Sequence, residues 1–196
     1  MFYQHNSTIT ITKENYSLVL KQKKLLIKKL HNLFTSLDIK YVIGHGNLIE
    51  YVRGQPIYHD DDIDIRVDVN DAHKWFAYCC KINKDECSER PFNYVDKQNG
   101  LSFDNRVHDA DRQNKNGLQV VLYNIKNDPF IIHADIVFNY VTSDFWMNYD
   151  INYDKIKKIN YIGHETYVPC DDDIERVLSK QYGKNYIIPK YNYELI

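Results

Sequence analysis

The stretch His59-Asp60-Asp61-Asp62-Ile63-Asp64-Ile65-Arg66-Val67 constrains the fold more than any other part of the chain, because charged and apolar residues alternate in it with a period of two. That is the period of a β-strand, whose successive side chains point to opposite faces. It predicts a strand over residues 62–67, with Asp60, Asp62, Asp64 and Arg66 on one face and Ile63, Ile65 and Val67 turned to the core. Like charges side by side on a strand repel unless something positive lies among them. A divalent cation is the economical answer. Carboxylate oxygens suit Mg2+ or Mn2+, and Mg2+ is commonly held by one or two carboxylates together with substrate phosphates.

Residues 130–138 repeat the alternation, with Ile132, Ala134, Ile136 and Phe138 on one side and His133 and Asp135 on the other. Asp135 is a carboxylate in an otherwise apolar strand, where an unpaired charge is costly, so the Asp62/Asp64 site is its expected partner. Asp104, on another predicted strand, is the reserve for this third position. Two carboxylates on one strand and a third from a neighbour can hold one or two metals for in-line phosphoryl or nucleotidyl transfer, and the third can take the acceptor's proton. Upstream, Gly44-His45-Gly46-Asn47 breaks a short strand over 39–43, and backbone N–H groups there could cradle phosphate oxygens. Arg53 is a candidate bidentate phosphate donor, read evenly against a plain surface charge, while His45 and His59 are expected to be polar loop residues.

Around this motif the pattern is that of an α/β (α+β) chain with a mixed sheet flanked by helices. Leu26, Leu30, Leu33, Phe34 and Leu37 recur at helical spacing, predicting an amphipathic helix over 14–37 with a Lys-rich outer face. A turn or short helix is expected over 48–52, and a helix capped by Asn70 over 72–80. Residues 83–99 read as loop, followed by strands over 101–107 and 118–125. Pro169 and Asp171-Asp172-Asp173 mark a C-terminal helical segment, 169–189, with acids at the positive end of its dipole. At 196 residues, with no linker or repeat, a single domain is expected, its catalytic motif in 44–67 and a variable middle in 72–127.

The 25 Lys and Arg against 27 Asp and Glu give a net charge of −2, which removes the long-range attraction a nucleic acid or anionic membrane would exploit. No apolar run approaches the ~20 residues of a spanning helix. The first residues lack the basic and apolar regions of a secretory signal, so a cytoplasmic protein is expected. Cys79, Cys80, Cys87 and Cys170 contain no C-x-x-C pair and are expected to be reduced thiols; with His73, the first three offer zinc donors, though in no ligand spacing.

Taken together, Gly46-Asn47-Leu48-Ile49-Glu50-Tyr51-Val52-Arg53 followed by Asp60-Asp61-Asp62-Ile63-Asp64-Ile65 resembles the signature of the LicD family, which includes phosphocholine transferases and the fukutin-related proteins. That signature runs Gly-Thr-Leu-Leu-Gly-x-x-Arg, a short spacer, then Asp-Asp-Asp-Ile-Asp-Ile. The tail, Val168-Pro169 and Gln181-Tyr182-Gly183-Lys184-Asn185-Tyr186, is similar to the family's closing Tyr-Gly segment. Asn47 stands where the family has Thr, Glu50 where it has its second Gly, and the spacer is about one residue short.

The resemblance implies a nucleotidyltransferase-like fold and an Mg2+ (or Mn2+) site in which Asp62 and Asp64 are ligands, Asp60 assists and Asp135 is the third carboxylate. It further implies a transferase that moves a phosphocholine-type or ribitol-phosphate-type group from a CDP-linked donor to a sugar hydroxyl, with Gly44, Gly46, Asn47 and Arg53 toward the phosphates. Two other readings remain open at this point. One is an NTP-dependent nucleotidyltransferase, and the other is a catalytically silent glycan- or nucleotide-binding module.

Overall fold

The fold is that of a computed structural model, in which residues 11–58, 60–82, 93–96, 101–107, 118–124, 132–139 and 151–188 are described. Helix α1 (Lys13–Ser36) begins at a capping box: the Asn15 N–H donates to Thr12 Oγ1 at 3.4 Å, and the Thr12 N–H donates to Asn15 Oδ1 at 2.8 Å. Its buried stripe, Val19, Leu26, Ile27, Leu30, Leu33 and Phe34, is the expected apolar face. Lys23 departs from expectation. It lies in that stripe, four residues after Val19 and three before Leu26, and is 5% exposed.

Strand β1 (Tyr41–Ile43) enters the core and is followed at once by α2 (His45–Arg53), which is a full helix over the segment expected to be a turn or short helix. Strand β2 (Asp62–Asp68) pairs antiparallel with β1. After it the Asp68 carboxylate, not Asn70, caps the chain. It accepts the Asn70 N–H at 3.0 Å over a 3₁₀ turn, Val69–Asp71, that leads into α3 (Ala72–Ile82). Asn70 lies inside that turn, and its side-chain amide donates to Asp68 Oδ1 at 3.0 Å.

Strands β3 (Asn93–Asp96), β4 (Leu101–Val107), β5 (Leu118–Asn124) and β6 (His133–Asn139) complete a mixed sheet. Its order among the described residues is β1-β2-β6-β5-β4-β3, with β2 and β6 parallel and every other pair antiparallel. Strand β3 corrects the expectation of loop through 83–99. Its residues, Asn93-Tyr94-Val95-Asp96, are four positions of a polar stretch that pair antiparallel with Leu101–Asp104 of β4.

A separate hairpin, β7 (Lys157–Tyr161) and β8 (His164–Val168), turns at Ile162 and Gly163, both at positive φ, and β8 packs on β1 and α1. Helix α4 (Asp171–Tyr182) follows. Trp75 of α3 is wholly buried between Phe34 and Phe138, at ring separations of 6.2 and 6.3 Å, which joins the helical layer to the sheet.

The cysteines correct a second expectation. Cys79 and Cys170 are free, but Cys80 is disulfide-bonded, to a residue outside the described ones. Successive helical positions face different ways, and Cys79 is buried while Cys80 is not. No zinc cluster forms there among the described residues, and the His73 ring is hydrogen-bonded to the Asn70 carbonyl at 2.7 Å.

Candidate metal centre

The parallel β2/β6 register sets Asp62 opposite His133 and Asp64 opposite Asp135, so the period of two on each strand brings all four to one face of the sheet. A carboxylate oxygen of Asp62, a ring nitrogen of His133 and a carboxylate oxygen of Asp135 lie within 4.8 Å of one another. His133 Nε2 and Asp135 Oδ1 are 3.9 Å apart, too far for a hydrogen bond. Asp104 sits on β4, with Val121 of β5 between it and Asp135 in the same cross-sheet row. Strand order therefore puts Asp135, not Asp104, beside Asp62 and Asp64.

The start of α2 lies over this corner and is laced to Asp64. The Gly44 N–H donates to the Asp64 carbonyl at 2.9 Å, the Gly46 N–H to Asp64 Oδ2 at 3.3 Å, and the Asp64 N–H to Asn47 Oδ1 at 2.6 Å. The approach is close. A Cβ on Gly44 would come within 3.1 Å of Arg66 Cγ, and one on Gly46 within 3.2 Å of both Asp60 carboxylate oxygens. Arg66 or Asp60 would need to shift by a few tenths of an ångström to admit a side chain at either glycine. His45, between them, takes φ 36° and is fixed by Gln181 of α4, whose Nε2 lies 2.5 Å from His45 Nδ1. Burial, then the Arg66 charge, push the His45 imidazole down to about 3, so it is a neutral acceptor.

Asp60 adjoins the three donors, with its side chain hydrogen-bonded to Asp62, and is held from the other side. Its Oδ2 accepts from Lys23 Nζ at 2.9 Å and from Asn47 Nδ2 at 3.1 Å, and Lys23 also reaches the Asp60 carbonyl at 3.0 Å. Asn47 is fully buried, and its amide bonds the Asp60 carboxylate and the Asp64 N–H. Arg53 gives its Nε and Nη2 hydrogens to the Tyr186 carbonyl, at 2.9 and 2.6 Å, tying α2 to the segment after α4. At Gly44, Gly46, Asn47 and Arg53, the residues expected toward phosphates, the donors identified bond to the protein itself. His59 lies outside the described residues.

The electrostatics fit a missing cation. Burial first, then the charges of Asp64 and Asp60, raise the Asp62 carboxyl far above its usual value. Burial likewise raises Asp64, against the lowering effect of Arg66 and with help from Asp60 and Asp135. Carboxylates that must take a proton for want of a positive partner are chemically suited to a divalent ion. His133 is the site residue the sequence reading passed over. The signal was its place two residues before Asp135 on the same strand face. Tyr182, at the end of α4, stands near enough to Asp64 and Asp60 that their charges add to burial in pushing its hydroxyl up to about 12.

Comparison with known proteins agrees with this geometry. The family model for LicD/FKTN/FKRP, nucleotidyltransferase domain, matches residues 38–171, about two thirds of the chain. The chain belongs to the LicD family. No curated protein sequence matches it. The match makes the chain a transferase by class and takes in the middle region as well as the acidic motif, while α1 and nearly all of α4 fall outside it.

The two family departures have visible structural uses. Asn47 supplies the clamp on Asp60 and Asp64, and buried Glu50 accepts the Ile57 N–H at 2.8 Å and the Tyr161 hydroxyl. Among the described residues no helix is long and apolar enough to cross a membrane.

Proposed function

We propose that the chain is a divalent-metal-dependent transferase that moves a phospho-alcohol group, of the phosphocholine or ribitol-phosphate kind, from a CDP-linked donor onto a sugar hydroxyl of a glycan. The observation that carries this reading is the in-register pairing of Asp62 and Asp64 with His133 and Asp135 across parallel strands, in a chain of the LicD family. Asp62 and Asp135, with His133, would hold the ion, and Asp64 would close the site from the α2 side. A bound ion supplies positive charge against the donor's phosphates and orients them.

The chain's own groups do the rest. Asp135, whose side chain is 25% exposed, is reachable by an incoming hydroxyl and takes its proton as the hydroxyl oxygen bonds to phosphorus. The bond from that phosphorus to the bridging oxygen breaks, and CMP leaves. Asn47, Gly46 and Lys23 keep the surrounding carboxylates fixed so that the ion site keeps one shape.

The test is product analysis with CDP-choline, CDP-ribitol, other nucleotide-linked donors and free NTPs, with Mg2+ or Mn2+ present. CMP release from a CDP conjugate that needs metal and is lost in Asp62→Asn is the expected result. Pyrophosphate release from an NTP would replace this reading with nucleotidyl transfer. Metal-dependent binding without turnover on any donor would leave a recognition module of the same fold.

A further inference from the structure

We infer that His133 makes this centre a site for Mn2+ in preference to Mg2+. The inference rests on the metal-dependent reading above and concerns which ion that site selects. Four aspartates converge on the corner. Asp60 is engaged by Lys23, Asn47 and the Asp62 carboxyl, and Asp64 Oδ2 by the Gly46 N–H, with Arg66 close enough to lower its carboxyl. The three donors that converge within reach of one ion, among the described residues, are one oxygen from Asp62, one oxygen from Asp135 and one imidazole nitrogen from His133.

His133 is not a loose bystander. It is the register partner of Asp62, its side chain is three-quarters buried at 25% exposure, and its Nε2 lies 3.9 Å from Asp135 Oδ1, a spacing at which both can reach one ion. Mg2+ is small, demands near-octahedral oxygen coordination and gives up water reluctantly. Imidazole suits transition ions, while carboxylates suit Mg2+, Ca2+ and Mn2+, so a site that joins two carboxylates to a ring nitrogen favours Mn2+ over Mg2+.

The experiment uses the full chain stripped of metal. Mn2+ is titrated by loss of the free-ion paramagnetic resonance signal, Mg2+ is then added as competitor, and wild type is compared with His133→Gln, which exchanges the nitrogen for an amide oxygen. Wild type should hold Mn2+ at least about tenfold more tightly than Mg2+. The variant should lose about tenfold or more in Mn2+ affinity with a smaller change for Mg2+, because even the outer partners of metal ligands are worth about 10–100-fold.

Pulsed resonance on the wild-type Mn2+ complex should show a ¹⁴N coupling, a readout that stands even if the variant fails to fold. Equal affinity for the two ions, an unchanged ratio in His133→Gln, or bound Mn2+ with no ¹⁴N coupling would each overturn the inference while leaving the metal-dependent reading intact. Failure of wild type to bind either ion would sink both.

Discussion

The chain carries two runs of aspartate, Asp60-Asp61-Asp62 with Asp64, and Asp171-Asp172-Asp173, and the fold treats them in opposite ways. The second run opens α4, where the positive end of the helix dipole favours negative charge. Asp171 is 81% exposed and pairs with Lys157, while Asp173 accepts the Asn152 N–H at 2.9 Å and Arg176 Nη2 at 2.7 Å. Burial acts against the Asp173 charge, but those two donors outweigh it and hold its carboxyl below the usual value.

The first run leads into and along strand β2, with Asp62 and Asp64 on the strand itself, which offers little dipole. It is buried against itself, and the Asp62 and Asp64 carboxyls are raised rather than lowered. Three acids at a helix start are satisfied by the fold. The same residues at strand spacing are satisfied only in part, by Lys23 on Asp60 and Arg66 near Asp64, and the remainder of the charge calls for an ion from outside.

The sharpest way to break this contrast is to neutralise one residue in each run. Asp62→Asn and Asp135→Asn should each lower metal-dependent turnover by about 10³-fold, because an ion at a phosphoryl site is worth several kcal/mol in the transition state. Asp171→Asn should leave turnover within about twofold, and steady-state kinetics on the three variants checks both statements.

A second test removes the internal cation. Lys23→Met strands the Asp60 charge in a site where Lys23 and Asp60 side chains are only 7% and 15% exposed. Breaking a buried pair from one side costs about 3–5 kcal/mol, to be read by urea unfolding, and Asp60→Asn in the same chain should restore part of the loss.

The pH profile separates the runs by sign. Asp62 and Asp64 have folded-state values above the unfolded one, so the metal-free protein is most stabilised by them below about pH 3.9 and loses that stability as pH rises through their raised values. Asp173 is lowered, so its contribution is present at neutral pH and is lost as pH falls through its depressed value. Calorimetry of the metal-free protein should therefore show, from the site pair, a fall in Tm from mildly acidic to neutral pH. Saturating Mn2+ should abolish it. Asp62→Asn should remove much of it, and Asp173→Asn should leave it in place.

The smallest effect is expected at α4 itself. Asp173→Ala should cost about 1 kcal/mol for two lost hydrogen bonds to a partly buried carboxylate, and Asp171→Asn no more than about 0.5 kcal/mol. Both follow from denaturation midpoints.

What the sequence made legible was what periodicity controls. The alternation in 60–67 and 132–138 gave both central strands and the face on which Asp62, Asp64 and Asp135 meet, since a period of two leaves little choice. Periodicity does not report the strand neighbour, so Asp104 and Asp135 competed until the order β2-β6-β5-β4 separated them. Nor does it report where a long side chain ends. Lys23 was assigned to the wet face of α1 because lysine is usually exposed, although its spacing from Val19 and Leu26 already put it in the buried stripe. Gly46 and Asn47 are expected at phosphates because a glycine break before a helix favours anions; in the fold the Gly46 N–H donates to the Asp64 carboxylate and the Asn47 amide to that of Asp60.

The reach of Lys23 across to Asp60 also bears on where this protein can be cut. The family match begins at residue 38, two positions after α1 ends, and a fragment trimmed to 38–171 would look complete by sequence likeness. It would lack the Nζ that holds Asp60, the Phe34 ring against Trp75, and the Gln181 amide that fixes His45. Such a fragment would keep every candidate metal ligand and lose the frame that sets their spacing. Expression boundaries for this chain belong outside residues 11 and 188.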